Sequence, residues 1–463
     1  MNQGNTSPAG TTGFVIKLTV VAALGGFLFG YDTAVISGVV PLLTTKFMLT
    51  DRLVGYAVSS AIVGCIIGSI TAGPLSDRLG RKKVLIFTAV LFAISSIGAA
   101  IISSLTGFVL FRVIGGIGIG AASMLSPLYI SEVAPARMRG KLVSVYQLAI
   151  VIGILIIYFV NYGIAGLGSE AWKVETGWRY MIASGLIPSA LFLVLLFIVP
   201  ESPRWLIKNN RRDEAMDTLE RLNGKQEAIA VADEISSTLN TEEGTVSELF
   251  KPGLRKAMIV GIFLALFSQI TGINAIIYYA PIIFKNAGFN SSNALGATAL
   301  VGIINFIFTW VAIGFIDKMG RKSLLLWGVG GMILSLIGTA YCFHAQVQGI
   351  WVVACIFFYI ACFAASLGPI PWVIISEIFP TKTRGVAMSI ATTVLWIGTF
   401  LISLFTPILL HAHSTDKTVL ANAGYHTFLI FLFNAVLLWI FTKIWIPETK
   451  QKTLEEIELS WKK

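Results

Sequence analysis

The stretch SEVAPARMRG at 131–140 returns as SEIFPTKTRG at 376–385. Each copy holds a glutamate, a proline and two bases, in a chain that spends little on charge elsewhere. Two further echoes keep the same order and nearly the same separation: GPLSDRLGRK at 73–82 with GFIDKMGRK at 314–322, and PESPR at 200–204 with PETK at 447–450. Chance similarity does not preserve order and spacing together. The chain therefore reads as an internal duplication whose charged segments occupy equivalent positions in two halves.

Composition says what those segments interrupt. Of 463 residues 56% are hydrophobic and 13% charged, and mean hydropathy is +0.81. A soluble domain carries about 25% charged residues, so lipid is the solvent that fits this chain. Apolar runs such as Thr19–Gly30, Ala57–Gly73, Leu142–Val160, Leu186–Val199 and Ala423–Ile444 recur to the C-terminus. A bilayer is crossed by a helix of roughly 20 such residues. A secreted soluble protein with a cleaved leader is excluded by that recurrence.

Twelve spans are expected: 15–40, 53–75, 84–105, 107–130, 142–163 and 178–200, then 257–284, 293–316, 323–343, 350–378, 385–409 and 422–446. The fold class is an all-α membrane protein of two six-helix bundles. Residues 1–200 form the first bundle and 257–446 the second. Residues 201–256 form a polar linker, whose stretches RRDEAMDTLERLN and AVADEISSTLN have the apolar period of short surface helices. Residues 447–463 form a tail. Lysine and arginine follow even-numbered spans, for example Arg78, Arg81, Lys82 and Lys83 after span 2 and Lys318, Arg321 and Lys322 after span 8. Such segments stay in the cytoplasm, which places both termini inside the cell membrane. The same rule accounts for the net charge of +10 without nucleic acid. Copies in one orientation imply bundles related by an axis along the membrane normal.

Charges away from these loops carry more information. Asp32 lies midway through span 1 and Arg112 early in span 4. An ionisable group at membrane depth is expensive, so it is paired or faces water. Asp32 is the candidate proton carrier, with Arg112 as the cation whose approach or retreat toggles its protonation; a static ion pair fastening spans 1 and 4 is the other reading. The duplicated clusters read as a cytoplasmic gate built from Asp77, Arg81, Glu132, Arg139, Glu201 and Arg204 in one half and Asp317, Arg321, Glu377, Arg384 and Glu448 in the other.

The embedded polar residues are mostly neutral: Gln147, Ser268, Gln269, Asn274, Tyr278, Asn305, Trp372 and Trp396. Amides, hydroxyls and indole faces suit a polyhydroxylated uncharged solute. No catalytic triad, metal-ligand pattern or phosphate-binding loop accompanies them, so neither enzyme activity nor a cofactor is expected. Cys65, Cys342, Cys355 and Cys362 lack a CxxC pattern and read as packing groups. GIN at 272–274 in span 7 and LGPIPW at 367–372 in span 10 break their helices and read as candidate gates.

Taken together, FLFGYDTAVISG at 27–38, GPLSDRLGRKK at 73–83, RVIGGIGIG at 112–120, SPLYISEVAPARMRG at 126–140, PESPRWL at 200–206, QITGINAIIYYAP at 269–281, DKMGRK at 317–322 and GPIPWVIISEIFPTKTRG at 368–385 resemble the sugar porter family of the major facilitator superfamily. The resemblance runs from about residue 15 to 460. It implies the major facilitator fold and alternating-access import of a neutral monosaccharide with a proton, by a chain that works as a monomer. Asp32 resembles the coupling carboxylate of the symporters and Arg112 its partner. Gln147, Gln269, Asn274, Asn305 and Trp372 correspond to sugar-contacting positions, with Tyr278 lining the pocket and Trp396 nearby. Ser268 stands where the family often carries the first of two glutamines, and Ile154 and Leu395 stand where the xylose symporter pattern has glutamine, which leaves xylose, glucose and related sugars open. Facilitated uniport and non-transporting sugar sensing are the alternatives; Asp32 argues against the first and short flanking tails against the second.

Overall fold

The computed structural model describes residues 9–135, 138–239, 246–251, 254–347, 349–379, 381–411, 414 and 416–450. The tail beyond 450 lies outside them. The described elements are all helices. Twelve are long and apolar enough to cross a membrane. Spans 1–6 are Thr12–Phe47, Asp51–Leu79, Arg81–Ile101, Leu105–Val133, Arg139–Ala165 and Glu170–Ile198. Spans 7–12 are Leu254–Asn286, Ser291–Ile316, Arg321–His344, Ile350–Ile375, Gly385–Leu409 and Lys417–Trp445.

Every expected span is present, most of them longer than hydropathy alone marks. The largest difference is span 6, which begins at Glu170 instead of 178, through a π-helical turn at Lys173–Gly177. Its charged first turns hide from a hydropathy reading because they pair locally. Lys173 Nζ donates to Glu170 Oε1 at 2.7 Å, and Lys46 of span 1 pairs with Glu175. Arg179 donates to the Ala100 and Ile102 carbonyls at the end of span 3. It thereby satisfies acceptors that a helix C-terminus leaves open.

Small residues let the helices approach. A side-chain carbon on Gly64 of span 2 would lie 2.1 Å from the Val113 carbonyl of span 4, and one on Gly30 of span 1 would lie 1.9 Å from the Ile150 carbonyl of span 5. Between helices in lipid, such contacts replace the hydrophobic drive that water supplies elsewhere. The tight turns joining spans 2 to 3 and 8 to 9 each rest on one glycine, Gly80 (φ 101°) and Gly320 (φ 88°), in a region that other residues avoid.

Spans 7 and 10 are interrupted where the glycine and proline fall. Span 7 consists of Leu254–Ile270 and Ile273–Asn286, with Gly272 left-handed at φ 104° between them. Span 10 consists of Ile350–Ala365 and Ile370–Glu377. The Thr271 carbonyl at the first break accepts from Tyr359 Oη of span 10 at 3.0 Å, so one interruption is held by the helix that carries the other.

The linker supplies helices Pro203–Lys208, Arg212–Asn223, Lys225–Leu239 and Val246–Leu249. Ala215, Leu219 and Leu222 form the buried stripe of the second. Leu222 joins Val15 and Leu18 of span 1, and the Arg221 guanidinium sits 4.2 Å from the Phe14 ring centroid.

The halves meet at the end opposite these linker helices, here called the far face; the linker end is the basic face. On the far-face side a carbon on Gly55 of span 2 would lie 2.2 Å from the Leu404 carbonyl of span 11. Gly302 of span 8 sits against Leu155 and Tyr158 of span 5, and Tyr158 Oη donates to the Ile277 carbonyl of span 7 at 2.8 Å. Among the described residues, the far face is closed across both halves.

Candidate functional site

Asp32 and Arg112 meet. Arg112 Nη1 donates to both Asp32 carboxylate oxygens at 2.9 Å, and Nη2 donates to the Asp32 carbonyl at 3.2 Å. Arg112 is 2% exposed, so the pair stands in a poor solvent for charge. A side-chain carbon on Gly115 would lie 2.3 Å from Ser95 Oγ, which keeps the wall beside Asp32 thin. A cavity of about 10 Å³ adjoins the pair, lined among others by Thr33, Arg112 and Tyr278. It is near the lower limit for holding one water. Tyr278 comes from span 7, so the second half reaches the ion pair of the first.

A second polar group gathers at the break of span 7. Gln269 Oε1 accepts from Asn274 Nδ2 at 2.6 Å and from Thr399 Oγ1 of span 11 at 3.0 Å, while Gln269 Nε2 donates to Ser268 Oγ at 2.9 Å. The αL turn at Gly272 brings Asn274 back over Gln269; an unbroken helix would not place residues five apart on one face. Gln147 in span 5 and Trp372 in span 10 are half-buried, and Asn305 in span 8 is buried. Trp396 is buried with its ring centroid 5.4 Å from that of Phe29 of span 1. Neither Trp396 Nε1 nor the Tyr146 hydroxyl has a hydrogen-bond partner among the described residues.

The duplicated charges adopt the same geometry twice. In the first half Arg81 pairs with Asp77 at 2.8 Å and Glu132 at 3.1 Å. Glu201 Oε1 accepts the backbone N–H groups of Arg81 and Lys82 at 2.9 and 3.1 Å. In the second, Arg321 pairs with Glu377 at 3.1 Å, and Glu448 accepts the N–H groups of Arg321 and Lys322 at 2.9 and 3.1 Å. Each glutamate thus caps the start of a span, where a helix leaves donors open and favours negative charge. Glycine precedes each cap for want of room: a carbon on Gly80 would lie 2.2 Å from Glu201 Oε2, and one on Gly320 would lie 2.6 Å from Glu448 Oε2. Burial pushes the Glu201 carboxyl above its usual range, an effect the capping N–H groups oppose but do not cancel. Arg139 and Arg204 are exposed. The side chains of Asp317 and Arg384 lie outside the described residues.

The model of the family described as "Sugar (and other) transporter" matches residues 18–461. The chain belongs to the sugar transporter family. It is 44% identical to the arabinose-proton symporter of Bacillus subtilis over 97% of this chain and 95% of that one. It is 41% identical to the D-xylose-proton symporter of Escherichia coli, over 97% and 96%. It is also 35% identical to the glucose facilitated diffusion protein of Zymomonas mobilis, over 98% and 99%. Among solved structures, the inward open conformation of the xylose transporter XylE from E. coli superposes with a TM-score of 0.84 at 40% identity, covering 96% of this chain and all of that one. XylE bound to 6-bromo-6-deoxy-D-glucose superposes at 0.80 and 40% identity, covering 97% and 100%. The fold is that of the major facilitator superfamily.

Within this transporter, the structure joins Asp32 to Arg112 and Gln269 to Asn274, and sets Tyr278 beside the former pair. Among the described residues, Gln147, Asn305, Trp372 and Trp396 make no hydrogen bond to those groups; they stand on the surrounding spans. Sequence reasoning missed Thr399, a hydroxyl indistinguishable in the sequence from the many that bond their own helix. It also missed Tyr158, whose hydroxyl donates a hydrogen bond from span 5 to span 7. Tyr158→Phe leaves the buried Ile277 carbonyl unpaired at a cost of about 1–3 kcal/mol in the closed far face. The expected result is a several-fold loss of that state, read from spin-label distances across the far face, with the fold intact.

Proposed function

We propose that the chain imports a neutral monosaccharide together with a proton by alternating access, and that the state described here faces inward. The basic face is then cytoplasmic, both termini lie inside the cell membrane, and the far face is the closed outer end. The observation that carries the coupling is the buried pair of Asp32 and Arg112, placed within reach of Tyr278 from the other half. In this reading Asp32 carries the proton and Arg112 is its counter-charge. If the halves move about the site, sugar occupancy and protonation are linked through the same motion.

Gln147, Gln269, Asn274, Asn305 and Trp372 hold the sugar in this reading, with Tyr278 and Trp396 walling it. Gln269 and Asn274 satisfy each other when no sugar is present and exchange that bond for sugar hydroxyls. Residues 1–200 and 257–446 move as two bodies. The clusters around Arg81 and Arg321 keep each body's basic end rigid in the inward-facing state and engage across the cleft when it closes; Arg139, Arg204, Asp317 and Arg384 join them there. The working unit is a monomer. Facilitated uniport remains the second reading, because the glucose facilitated diffusion protein is also a relative.

Exchange of labelled xylose, arabinose and glucose across proteoliposomes, each at equal sugar on both sides, tests the substrate class without requiring a gradient. Saturable exchange of at least one supports the reading, and exchange of none refutes it. In the same assay Gln269→Ala is expected to raise the half-saturating sugar concentration by roughly tenfold, the scale of one lost polar contact.

A further inference from the structure

A cavity of about 940 Å³ lies between the two halves on the far face, beyond the closure made by Tyr158 and Ile277. It belongs to neither the amide group nor the ion pair, none of whose residues line it. Its size is at the upper end of what encloses a drug-sized ligand, about 300–1,000 Å³, and is far more than one monosaccharide needs. Spans 1, 5 and 6 form one wall and spans 7, 8, 9, 10 and 12 the other.

The lining is donor-rich on an apolar body. Among the described residues lining it, Glu170 is the one carboxylate, and Lys173 Nζ already holds it at 2.7 Å. Lys285 and Lys417 add positive charge that nothing in the lining balances; Asp416, next in sequence to Lys417, is engaged in capping the Thr418 N–H. Asn286 and Thr44 also line it, and their Nδ2 and Oγ1 atoms, buried beneath its surface, have no hydrogen-bond partner among the described residues, so a side-chain rotation turns them toward a ligand. Buried donors without acceptors are costly, and a ligand bearing acceptors relieves that cost. Pro41, Leu42, Tyr162, Phe289, Leu295 and Leu420 supply the apolar body.

We propose that this vestibule is a second ligand site, distinct from the sugar site, for an amphipathic organic anion whose acidic head meets Lys285, Lys417 and Asn286 while its apolar body fills the gap between the halves. Because both halves line the site, its shape depends on the far face being shut. A ligand seated there therefore holds the transporter in the closed-far-face state, and inhibits transport without competing for the sugar amides.

The test is titration calorimetry of the full chain in an uncharged maltoside detergent with 2-naphthalenesulfonate, its uncharged sulfonamide and a naphthyl trimethylammonium salt. The expected result is saturable 1:1 binding of the sulfonate, at least tenfold weaker binding of the other two, and at least tenfold loss of sulfonate affinity in Lys285→Gln/Lys417→Gln. Sugar affinity of that variant, read by tryptophan fluorescence, stays within twofold of the parent, which shows that it is folded. Equal binding of all three probes, binding unchanged in the lysine variant, or no saturable binding overturns the site. The site rests on the proposed function only for its effect on transport. Binding in detergent needs neither proton coupling nor a membrane orientation, so failure of the uptake reading leaves this result standing and the reverse holds too.

Discussion

Asp32→Asn is expected to bring sugar accumulation down to the equilibrium level while exchange of sugar across the membrane continues. One proton falling through about 100 mV supplies about 2.3 kcal/mol, enough for roughly 50-fold accumulation. The asparagine has no proton to carry, so that whole factor disappears. The variant also leaves Arg112 buried without a counter-charge, and breaking such a pair costs about 3–5 kcal/mol. Asp32→Asn alone therefore confuses lost coupling with lost stability. Asp32→Asn/Arg112→Gln separates them: removing both charges together leaves no buried ion without its partner. The double variant is expected to recover thermal stability and exchange but not accumulation. If the pair were only a fastening between spans 1 and 4, restored stability would bring accumulation back with it. Initial rates of exchange, melting temperature and the steady-state sugar ratio are the three readouts.

Gly55→Leu is expected to empty the closed-far-face state. The added carbon would sit 2.2 Å from the Leu404 carbonyl and 3.0 Å from its carbon, and both belong to backbone that cannot rotate aside. Overpacking costs about 1–3 kcal/mol, which moves a two-state balance roughly 5- to 150-fold. Gly55 and Leu404 lie in different halves, so the clash is relieved when the halves part at that end and the fold survives. Gly64→Leu is the control. Its carbon would meet the Val113 carbonyl at 2.1 Å, within the first half. No rigid-body movement of the two halves relieves that contact, so this variant is expected to lose folded protein. Distances between spin labels on the basic and far faces distinguish the outcomes: Gly55→Leu lengthens the far-face distance and shortens the basic-face one. Unchanged distances in a folded Gly55→Leu protein would contradict the assignment of this contact as a state-dependent closure.

The fold was legible because lipid makes its demands uniform. Twelve apolar stretches, basic loops after every second span and three motifs written twice leave few arrangements. Span 6 shows where that legibility stops, since Glu170, Lys173 and Glu175 lower hydropathy yet continue the helix through pairs made in space. Asp32 and Arg112 could be paired in advance because charge at membrane depth needs a partner. Glu201 and Glu448 could be placed in a charged cluster, yet their role as helix caps for spans 3 and 9 depends on a backbone turn at Gly80 and Gly320 that the residue types alone do not reveal. Thr399 and Tyr158 were not legible at all. A threonine in a helix ordinarily bonds its own i−4 carbonyl, and Thr399 does that too, at 3.0 Å from the Leu395 carbonyl, besides reaching Gln269. Tyr158 acquires its partner from a helix more than a hundred residues away.

The most direct test of proton-coupled import is uptake of labelled xylose, arabinose and glucose into proteoliposomes carrying an inward proton gradient, with and without a protonophore. Accumulation of at least one sugar above equilibrium that collapses on adding the protonophore is the predicted result. Uptake that reaches equilibrium and stops there, indifferent to the protonophore, would contradict it and leave Asp32 and Arg112 as a structural pair in a uniporter.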